Sequence, residues 1–200
     1  FAEIAHDYFE DDSTYSVEAF SVEKKYIKGS SFKGKNIIPF ETLEKDFNPK
    51  NYSIFVAIAY AQLNRLRSRL VYKAKEKGFN LASYISSDCY LSKSASYGEH
   101  NFIFENNTIQ PYTYIGNNVI VWSGNHIGHH SIIEENCFIS SHCVISGHCK
   151  IGSSSFIGVN ATISNNTNIG KDNWIGPSTL INTDTIDGSI FKTPKTEISK

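Results

Sequence analysis

The chain has 200 residues, enough for one large domain or two small ones, and 40% of them are hydrophobic, enough for a buried core. Its 19 Lys and Arg residues against 20 Asp and Glu residues give a net charge of −1, so the composition shows no attraction to nucleic acid or to a membrane surface. No apolar run approaches the roughly 18 residues of a transmembrane helix, and no signal peptide is recognisable. We therefore expect a cytoplasmic protein with neither a membrane nor a nucleic-acid partner.

The first 82 residues alternate between helix-like and strand-like patterns. The predicted elements are an amphipathic helix at 1–10 whose apolar side includes Ile4, a strand at 17–23, a short helix within 37–47, a strand at 53–60, a helix at 61–78 and a strand at 79–86. Such alternation predicts a small parallel α/β unit.

A parallel α/β unit binds ligands beyond the carboxyl ends of its strands, which makes Ser21, Glu23 and Asn64 candidate substrate-binding residues. Ordinary connecting loops remain the alternative interpretation of these segments. The helix at 61–78 also carries alternating arginines around Arg67. For these a solvated face is favoured over a phosphate site.

The second half of the chain has a period of six. Every sixth residue from Ile85 to Ile181 is aliphatic, with Tyr97 as the single exception. Neither a helix nor an open strand has this period, so the pattern predicts a solenoid whose coil is a multiple of six residues. The residue four positions after each aliphatic is mostly small, and Cys137, Cys143 and Cys149 fall in this column. We expect these cysteines to be buried thiols, which fits a reducing compartment.

A glycine often follows the aliphatic residue, as at Gly128 and Gly152. This [LIV]-G-x-x-x-x pattern resembles the hexapeptide-repeat family. The resemblance implies a left-handed parallel β-helix in which three hexads form one triangular coil. The run is unbroken from Ile109 onward, without the long loop found in the serine- and xenobiotic-acetylating members.

The two-part layout is similar to that of the sugar O-/N-acyltransferases that include sialic acid O-acetyltransferase and the bacillosamine-pathway N-acetyltransferase. These proteins join an N-terminal Rossmann-like domain to a β-helix, and a Gly-rich turn follows their first strand. The chain contains no Met and its first helix pattern begins at Phe1, so we expect that strand and turn to precede Phe1. The predicted domains are a truncated Rossmann-like nucleotide-sugar-binding domain at 1–82 and a β-helix acyltransferase domain at 83–200. A truncated tail is expected at 193–200.

Five of the seven histidines lie within 126–148, and none of the five occupies an inward column. We expect them on the surface, with His130 and His148 stacked because they are 18 positions apart. Three interpretations stay open: a polar surface without chemistry, a zinc site like that of the hexapeptide carbonic anhydrases, and general-base catalysis. The last is favoured because imidazole accepts a proton near neutral pH. The local spacings do not select three metal ligands, so no metal is expected.

The resemblance implies particular catalytic residues. The sugar acyltransferases carry a catalytic His as the third residue of a hexad, and IGHHSI aligns without a gap, which implies His129 as the base. The family follows this His with Asp or Glu, whereas this chain has His130, leaving Glu134 or a neighbouring subunit to supply a carboxylate. His126 is the second candidate base.

The implied acyl donor is acetyl-CoA, which lies in this family along the groove between two prisms. A family His that contacts the donor falls on Phe138, with His142 nearby as a substitute. Backbone contacts to the donor match Val159, Gly176 and Pro177, for which ordinary coil packing is the alternative.

Together these resemblances imply an acetyl-CoA-dependent N-acetyltransferase of a nucleotide-linked amino sugar in bacterial surface glycan biosynthesis. The family is trimeric, so we expect a C3 homotrimer with active sites between subunits. One alternative is O-acetylation of a sialic-acid-like sugar. An alternative of another class is a sugar-binding β-solenoid without turnover.

Overall fold

The computed structural model describes residues 1–193, and the tail expected at 193–200 lies outside the described residues except for Thr193. The N-terminal part mixes helices with short strands. Its elements are α1 (Ala2–Asp11), β1 (Ala19–Val22), β2 (Ser31–Phe32), β3 (Lys35–Pro39), α2 (Leu43–Asp46), β4 (Ser53–Ile54), α3 (Arg65–Glu76) and β5 (Asn80–Leu81), with 3-10 turns at Lys24–Tyr26 and Phe40–Thr42.

The N-terminal strands form two small sheets, one in the order β1-β3-β2 and one pairing β4 with β5. The β1–β3 and β4–β5 pairs are parallel, as the sequence predicts. The strand expected at 53–60 ends at Ile54, and the residues after it run as unpaired chain. The helix expected at 61–78 begins only at Arg65, because Gln62, Leu63 and Asn64 have φ angles of 54°, 50° and 65°. Ile4, expected on the buried side of α1, is 38% exposed.

The remainder of the chain is a parallel β-solenoid with three faces. Face 1 contains β6 (Tyr84–Ile85), β9 (Phe102–Ile103), β12 (Ile120–Val121), β15 (Phe138–Ile139), β18 (Phe156–Ile157), β21 (Trp174–Ile175) and β23 (Ile190–Phe191). Face 2 contains β7 (Tyr90–Leu91), β10 (Thr108–Ile109), β13 (His126–Ile127), β16 (Val144–Ile145), β19 (Thr162–Ile163) and β22 (Leu180–Ile181). Face 3 contains β8 (Ser96–Tyr97), β11 (Tyr114–Ile115), β14 (Ile132–Ile133), β17 (Lys150–Ile151) and β20 (Asn168–Ile169).

The six-residue period is the result of this geometry. Each hexad supplies one strand and one edge of the triangular prism, so the aliphatic residue of every hexad points inward and stacks on its counterpart one coil later. The thiols of Cys137, Cys143 and Cys149 lie in the same interior, as expected. Within residues 1–193, the register changes in the last coil, where Trp174 pairs with Ile190. The left-handed β-helix predicted from the repeat is confirmed.

Face 1 differs from the other two faces because its outward column is also apolar. The residues of this column are Tyr84, Phe102, Ile120, Phe138, Phe156 and Trp174. Helix α1 and the segment after β4 cover them, so that Phe102 and Ile120 are 0% exposed. The N-terminal part therefore packs on face 1 as on a second hydrophobic core.

A buried polar network fixes α3 to the edge between faces 3 and 1. Arg67 is 0% exposed, which contradicts the expectation of a solvated arginine face. Its guanidinium donates to the side chain and carbonyl of Asn118, to the carbonyls of Asn136 and Cys137, and to the carbonyl of Ala59. Burial lowers the pKa of Arg67 to about 9, so the group stays charged at neutral pH and is satisfied by carbonyl oxygens instead of a carboxylate.

Within residues 1–193, none of the helices combines the length and hydrophobicity that a membrane span requires.

Candidate active site

Three of the five clustered histidines lie on one edge of the prism. His129, His130 and His148 are exposed on the edge between faces 2 and 3, which we call the histidine edge. His126 points outward from β13 on face 2, and exposed His142 lies on the edge between faces 1 and 2. The expectation that all five face outward is confirmed, but the structure separates them into three locations.

The rings on the histidine edge form a stack. His130 and His148 are parallel within 14° at a centroid distance of 4.8 Å, as predicted from their spacing. Tyr112 packs on the other side of His130, also at 4.8 Å. His130 and His148 both have positive φ, the backbone conformation that most edges of this solenoid require. His129 lies beside the stack, at right angles to His148.

The hydrogen bond between His129 and His130 gives His129 an orienting partner. Their Nδ1 atoms are 3.1 Å apart, so one ring donates and the other accepts. When His129 donates from Nδ1, its Nε2 carries the free lone pair that a general base needs. Glu134 does not take this role, because its carboxylate binds Lys150 at 2.8 Å and accepts a hydrogen bond from the Ser153 amide.

Gly147 provides the space that the His129 ring occupies. A Cβ atom at position 147 would lie 2.8 Å from Cε1 and 2.9 Å from Nε2 of His129. The backbone below is also fixed, since the His129 amide donates to Gln110 at 3.0 Å and its carbonyl accepts from the His148 amide at 2.9 Å. The base is therefore positioned by a rigid coil and a missing side chain.

Two of the three acceptor-site candidates line a cavity, and the third is buried. Ser21 lies in β1 and Glu23 follows directly after its last residue. Both line a cavity of about 800 Å³ between α1, β1 and the 53–58 segment. The Ser21 hydroxyl is buried without a hydrogen-bond partner, and Glu23 forms a two-pronged ion pair with Arg69. Asn64 is 0% exposed, and its amide donates to the carbonyls of Ser154 and Ser155. The assignment of Asn64 to substrate binding is therefore wrong.

Some of the donor-site candidates are exposed and others are buried. Val159 and Pro177 are exposed on the edge between faces 1 and 2, the edge that also carries His142. Gly176 is buried, and its N–H already donates to the Phe191 carbonyl at 2.7 Å. Phe138 is only 3% exposed because Tyr60 covers it at a centroid distance of 5.0 Å. Neither Gly176 nor Phe138 is available to a ligand, so these two assignments are corrected.

The cysteines are unsuited to covalent catalysis. Burial raises the pKa of Cys137 and of Cys143 to about 12, so both thiols stay protonated at neutral pH. Their sulfurs contact backbone carbonyls of the coil. These residues act as small interior groups, as predicted.

The histidine edge also has the donors of a metal site. One ring nitrogen from each of His129, His130 and His148 lies within 4.8 Å of the others. The hexad spacing did not predict this convergence, since it depends on side-chain direction at two successive coils.

Comparison with known protein families gives a match within the solenoid. Residues 130–165 match the family described as bacterial transferase hexapeptide, six repeats. No curated protein matches the sequence.

Solved structures match nearly the whole chain. The acetyltransferase domain of PglB from Neisseria gonorrhoeae FA1090 is 25% identical with a TM-score of 0.85, over 96% of this chain and 91% of that one. The same domain in complex with acetyl coenzyme A is 24% identical with a TM-score of 0.86, over 96% of this chain and 90% of that one. A third structure is a His-to-Asn variant of perosamine N-acetyltransferase from Caulobacter crescentus in complex with CoA and GDP-perosamine. It is 22% identical with a TM-score of 0.84, over 96% of this chain and 89% of that one. The predicted resemblance is thus confirmed: the chain contains bacterial transferase hexapeptide repeats and, over 96% of its length, shares the fold of these acetyltransferases.

Proposed function

We propose that the protein is an acetyl-CoA-dependent N-acetyltransferase that acts on a nucleotide-linked amino sugar in bacterial surface glycan biosynthesis. The observation that carries the proposal is the exposed His129 imidazole, which is hydrogen-bonded through Nδ1 to His130 on a hexapeptide solenoid. The similar structures support the substrates, because one binds acetyl coenzyme A and another binds CoA with GDP-perosamine.

In the proposed reaction, the sugar amine attacks the carbonyl carbon of the thioester while Nε2 of His129 accepts the amine proton. The carbon–sulfur bond then breaks, and CoA leaves as a thiol after taking up a proton. A backbone N–H stabilises the negative oxygen that develops in between. No covalent enzyme intermediate is needed, which agrees with the protonated, buried cysteines.

The geometry supports an active site shared between copies of the chain. The N-terminal part covers face 1 and contacts its two bordering edges, through Arg67 on one side and through Tyr8, which donates to Glu105, on the other. The histidine edge is the edge that does not border face 1. An acceptor held by the N-terminal part therefore reaches His129 of a neighbouring copy, as in a C3 homotrimer.

The edge between faces 1 and 2 suits the donor. Val159 and Pro177 offer exposed apolar contacts there, and exposed Lys192 beyond β23 supplies a positive charge for a CoA phosphate. His142, on the same edge, is exposed as well. In a trimer, this edge and the histidine edge of the next copy would form the two walls of one cleft.

The acceptor would bind at Ser21 and Glu23, where β1 ends. An amine is a better nucleophile than a hydroxyl, so a base oriented by a neutral His130 suits N-acetylation better than O-acetylation. The reaction would take place in the cytoplasm, because the free thiols agree with a reducing compartment.

The experiment measures thiol release from acetyl-CoA by the purified, chelator-treated protein, with UDP- and GDP-linked amino sugars and a sialic-acid-like sugar as acceptors. We expect release with an amino sugar. His129→Ala should lower kcat by about 10²–10⁴-fold, the usual contribution of a general base.

His148→Asn is the matched control, because it removes a neighbouring imidazole and places Asn at a positive-φ edge position that Asn tolerates. It should lower kcat far less than His129→Ala does. The assignment of the base would be wrong if His129→Ala and His126→Ala both kept full kcat, and absence of thiol release with every acceptor would favour a binding protein.

A further inference from the structure

The three imidazoles of the histidine edge do more than orient one base. His129 and His130 lie on one coil and His148 on the next, and a backbone hydrogen bond of 2.9 Å from the His148 amide to the His129 carbonyl joins the two coils. All three side chains are exposed, and the set brings one nitrogen from each ring within 4.8 Å of the others. Among the described residues, the bond between His129 and His130 is the only side-chain hydrogen bond that these three rings form.

The distances are close to those that a transition metal requires. Zinc binds imidazole nitrogen at about 2.0–2.1 Å, so two nitrogens on one tetrahedral ion lie roughly 3.4 Å apart. The His129 and His130 Nδ1 atoms are already 3.1 Å apart. His148 has only to rotate its exposed ring out of the stack with His130 to complete three ligands. Imidazole nitrogen suits Zn²⁺, Ni²⁺ and Cu²⁺ and is a poor ligand for Mg²⁺ or Ca²⁺.

We propose that His129, His130 and His148 bind a transition-metal ion of the Zn²⁺ class, and that the bound ion inhibits acyl transfer by occupying the base. The ion is an inhibitor and not a cofactor. The inhibitory half of the proposal rests on the proposed function of His129.

Inhibition follows whichever ring nitrogen of His129 binds the ion. An ion on Nε2 uses the lone pair that would accept the amine proton. An ion on Nδ1 replaces the hydrogen bond to His130 and leaves His129 as the Nε2–H tautomer, which has no lone pair to offer. The proton count of the rings is unchanged in both cases: an ion on Nε2 leaves the proton on Nδ1, whereas an ion on Nδ1 requires that proton to move to Nε2 through solvent.

Calorimetric titration of the chelator-treated full chain with zinc chloride tests the site without any enzyme assay. We expect one ion per chain, and His148→Asn should weaken binding about tenfold or more, since loss of even an outer contact costs about that much. His142→Asn is the matched control, because it removes another positive-φ edge histidine outside the cluster and should leave zinc affinity unchanged. Absence of zinc binding, or equal affinity in His148→Asn, would overturn the site.

The inhibitory half is tested by chromatography of the acetylated sugar, because zinc binds the free thiols of a thiol assay. Zinc should stop the wild-type enzyme, whereas His148→Asn, measured against its own zinc-free rate, should need about tenfold more zinc for the same fractional loss. Zinc that binds without slowing the reaction would overturn this half. A metal-free wild type that acetylates no acceptor would count against the proposed function alone, because calorimetry still decides whether the ion binds.

Discussion

The Nδ1 atoms of His129 and His130 lie 3.1 Å apart, so the candidate base is oriented by a second imidazole and not by a carboxylate. His130 is itself held between Tyr112 and His148. When His130 accepts this hydrogen bond, it holds the proton on Nδ1 of His129, but it adds little to the basicity of His129 because it carries no negative charge to favour the imidazolium.

Removal of this partner should slow the reaction. We expect His130→Gly to lower kcat by roughly tenfold to a hundredfold with KM for acetyl-CoA unchanged, because His129 then samples both tautomers and more than one orientation. Gly accepts the φ of 57° at this position without strain. Steady-state kinetics of the chelator-treated variant measures the effect.

The matched variant is His130→Asp, which also tolerates positive φ and supplies the carboxylate that the resemblance to the sugar acyltransferases implies at this position. It should restore kcat at least to the wild-type value, since a carboxylate both accepts the Nδ1 hydrogen bond and favours the protonated imidazole. Full activity in His130→Gly would refute the orienting role.

Gly147 should be required for activity more than for stability. An Ala methyl at this position would meet Cε1 and Nε2 of His129 at under 3.0 Å, and a flexible exposed ring can move away. We therefore expect Gly147→Ala to lower kcat about tenfold or more while Tm changes by only a degree or two. Kinetics and thermal melting of the same sample separate the two effects.

Two other glycines give the contrasting outcomes. Gly152→Ala would place its methyl 2.6 Å from the backbone of Gly170 and Lys171, so the coil itself must shift and Tm should fall clearly. Gly29→Ala meets nothing within 4 Å and should change neither activity nor Tm. A Gly147→Ala enzyme with the wild-type kcat would show that the His129 position is unimportant.

The sequence predicted the solenoid well because a buried coil imposes its period on every hexad. The same spacing arithmetic placed the His130–His148 stack correctly. The sequence carries a further signal: the outward residues of face 1 are large and apolar at every 18th position, as in Phe102, Ile120 and Phe138. Such a column marks the face that the N-terminal part covers, and it would have excluded Phe138 from the donor site.

Other features depend on contacts between distant parts of the chain. Nothing in the alternating arginines distinguishes buried Arg67 from exposed Arg65, since only the fold brings the carbonyls of the prism to one of them. The Nδ1 contact of His129 and the engagement of Glu134 with Lys150 likewise depend on side-chain direction. Residue type and spacing do not determine these directions.

His100 should make stability depend on acid pH. It is 1% exposed, its Nε2 accepts from the Val56 amide at 2.8 Å, and its Nδ1 lies 2.9 Å from Oδ1 of Asn118, so the ring is neutral with the proton on Nδ1. Burial lowers the pKa of His100 to about 3, and the charge of Arg67 acts in the same direction.

Proton linkage gives the direction in which the free energy of unfolding changes with pH. Between pH about 6.5 and about 3 the unfolded chain binds a proton at His100 and the folded chain does not, so the free energy of unfolding falls as the pH falls through this window. The full slope is about 1.4 kcal/mol per pH unit for one proton. Urea titrations from pH 7 to pH 4 should show a slope smaller by about one proton in His100→Gln, which keeps an acceptor and a donor but cannot titrate. An unchanged slope would contradict a buried neutral imidazole.

Arg67 should be the residue on which docking of the N-terminal part depends most. Its guanidinium donates to the carbonyls of Asn118, Asn136 and Cys137, which lie on two successive coils of the solenoid. It also donates to the carbonyl of Ala59 in the N-terminal part. Arg67→Met fills much of the same space but leaves these buried oxygens without donors. Since each unsatisfied group costs about 1–3 kcal/mol, we expect a loss of at least about 3 kcal/mol and a Tm lower by roughly 10 °C.

Arg65→Met is the matched control on the same helix, because Arg65 is exposed and makes one surface ion pair with Asp172 at 3.0 Å. Its loss should cost at most about 0.5 kcal/mol. Because the solenoid core is separate from the face 1 contacts, Arg67→Met should also expose the N-terminal part to proteolysis before the prism unfolds. Equal Tm values for the two variants would show that the carbonyl network contributes little to the docking of α3.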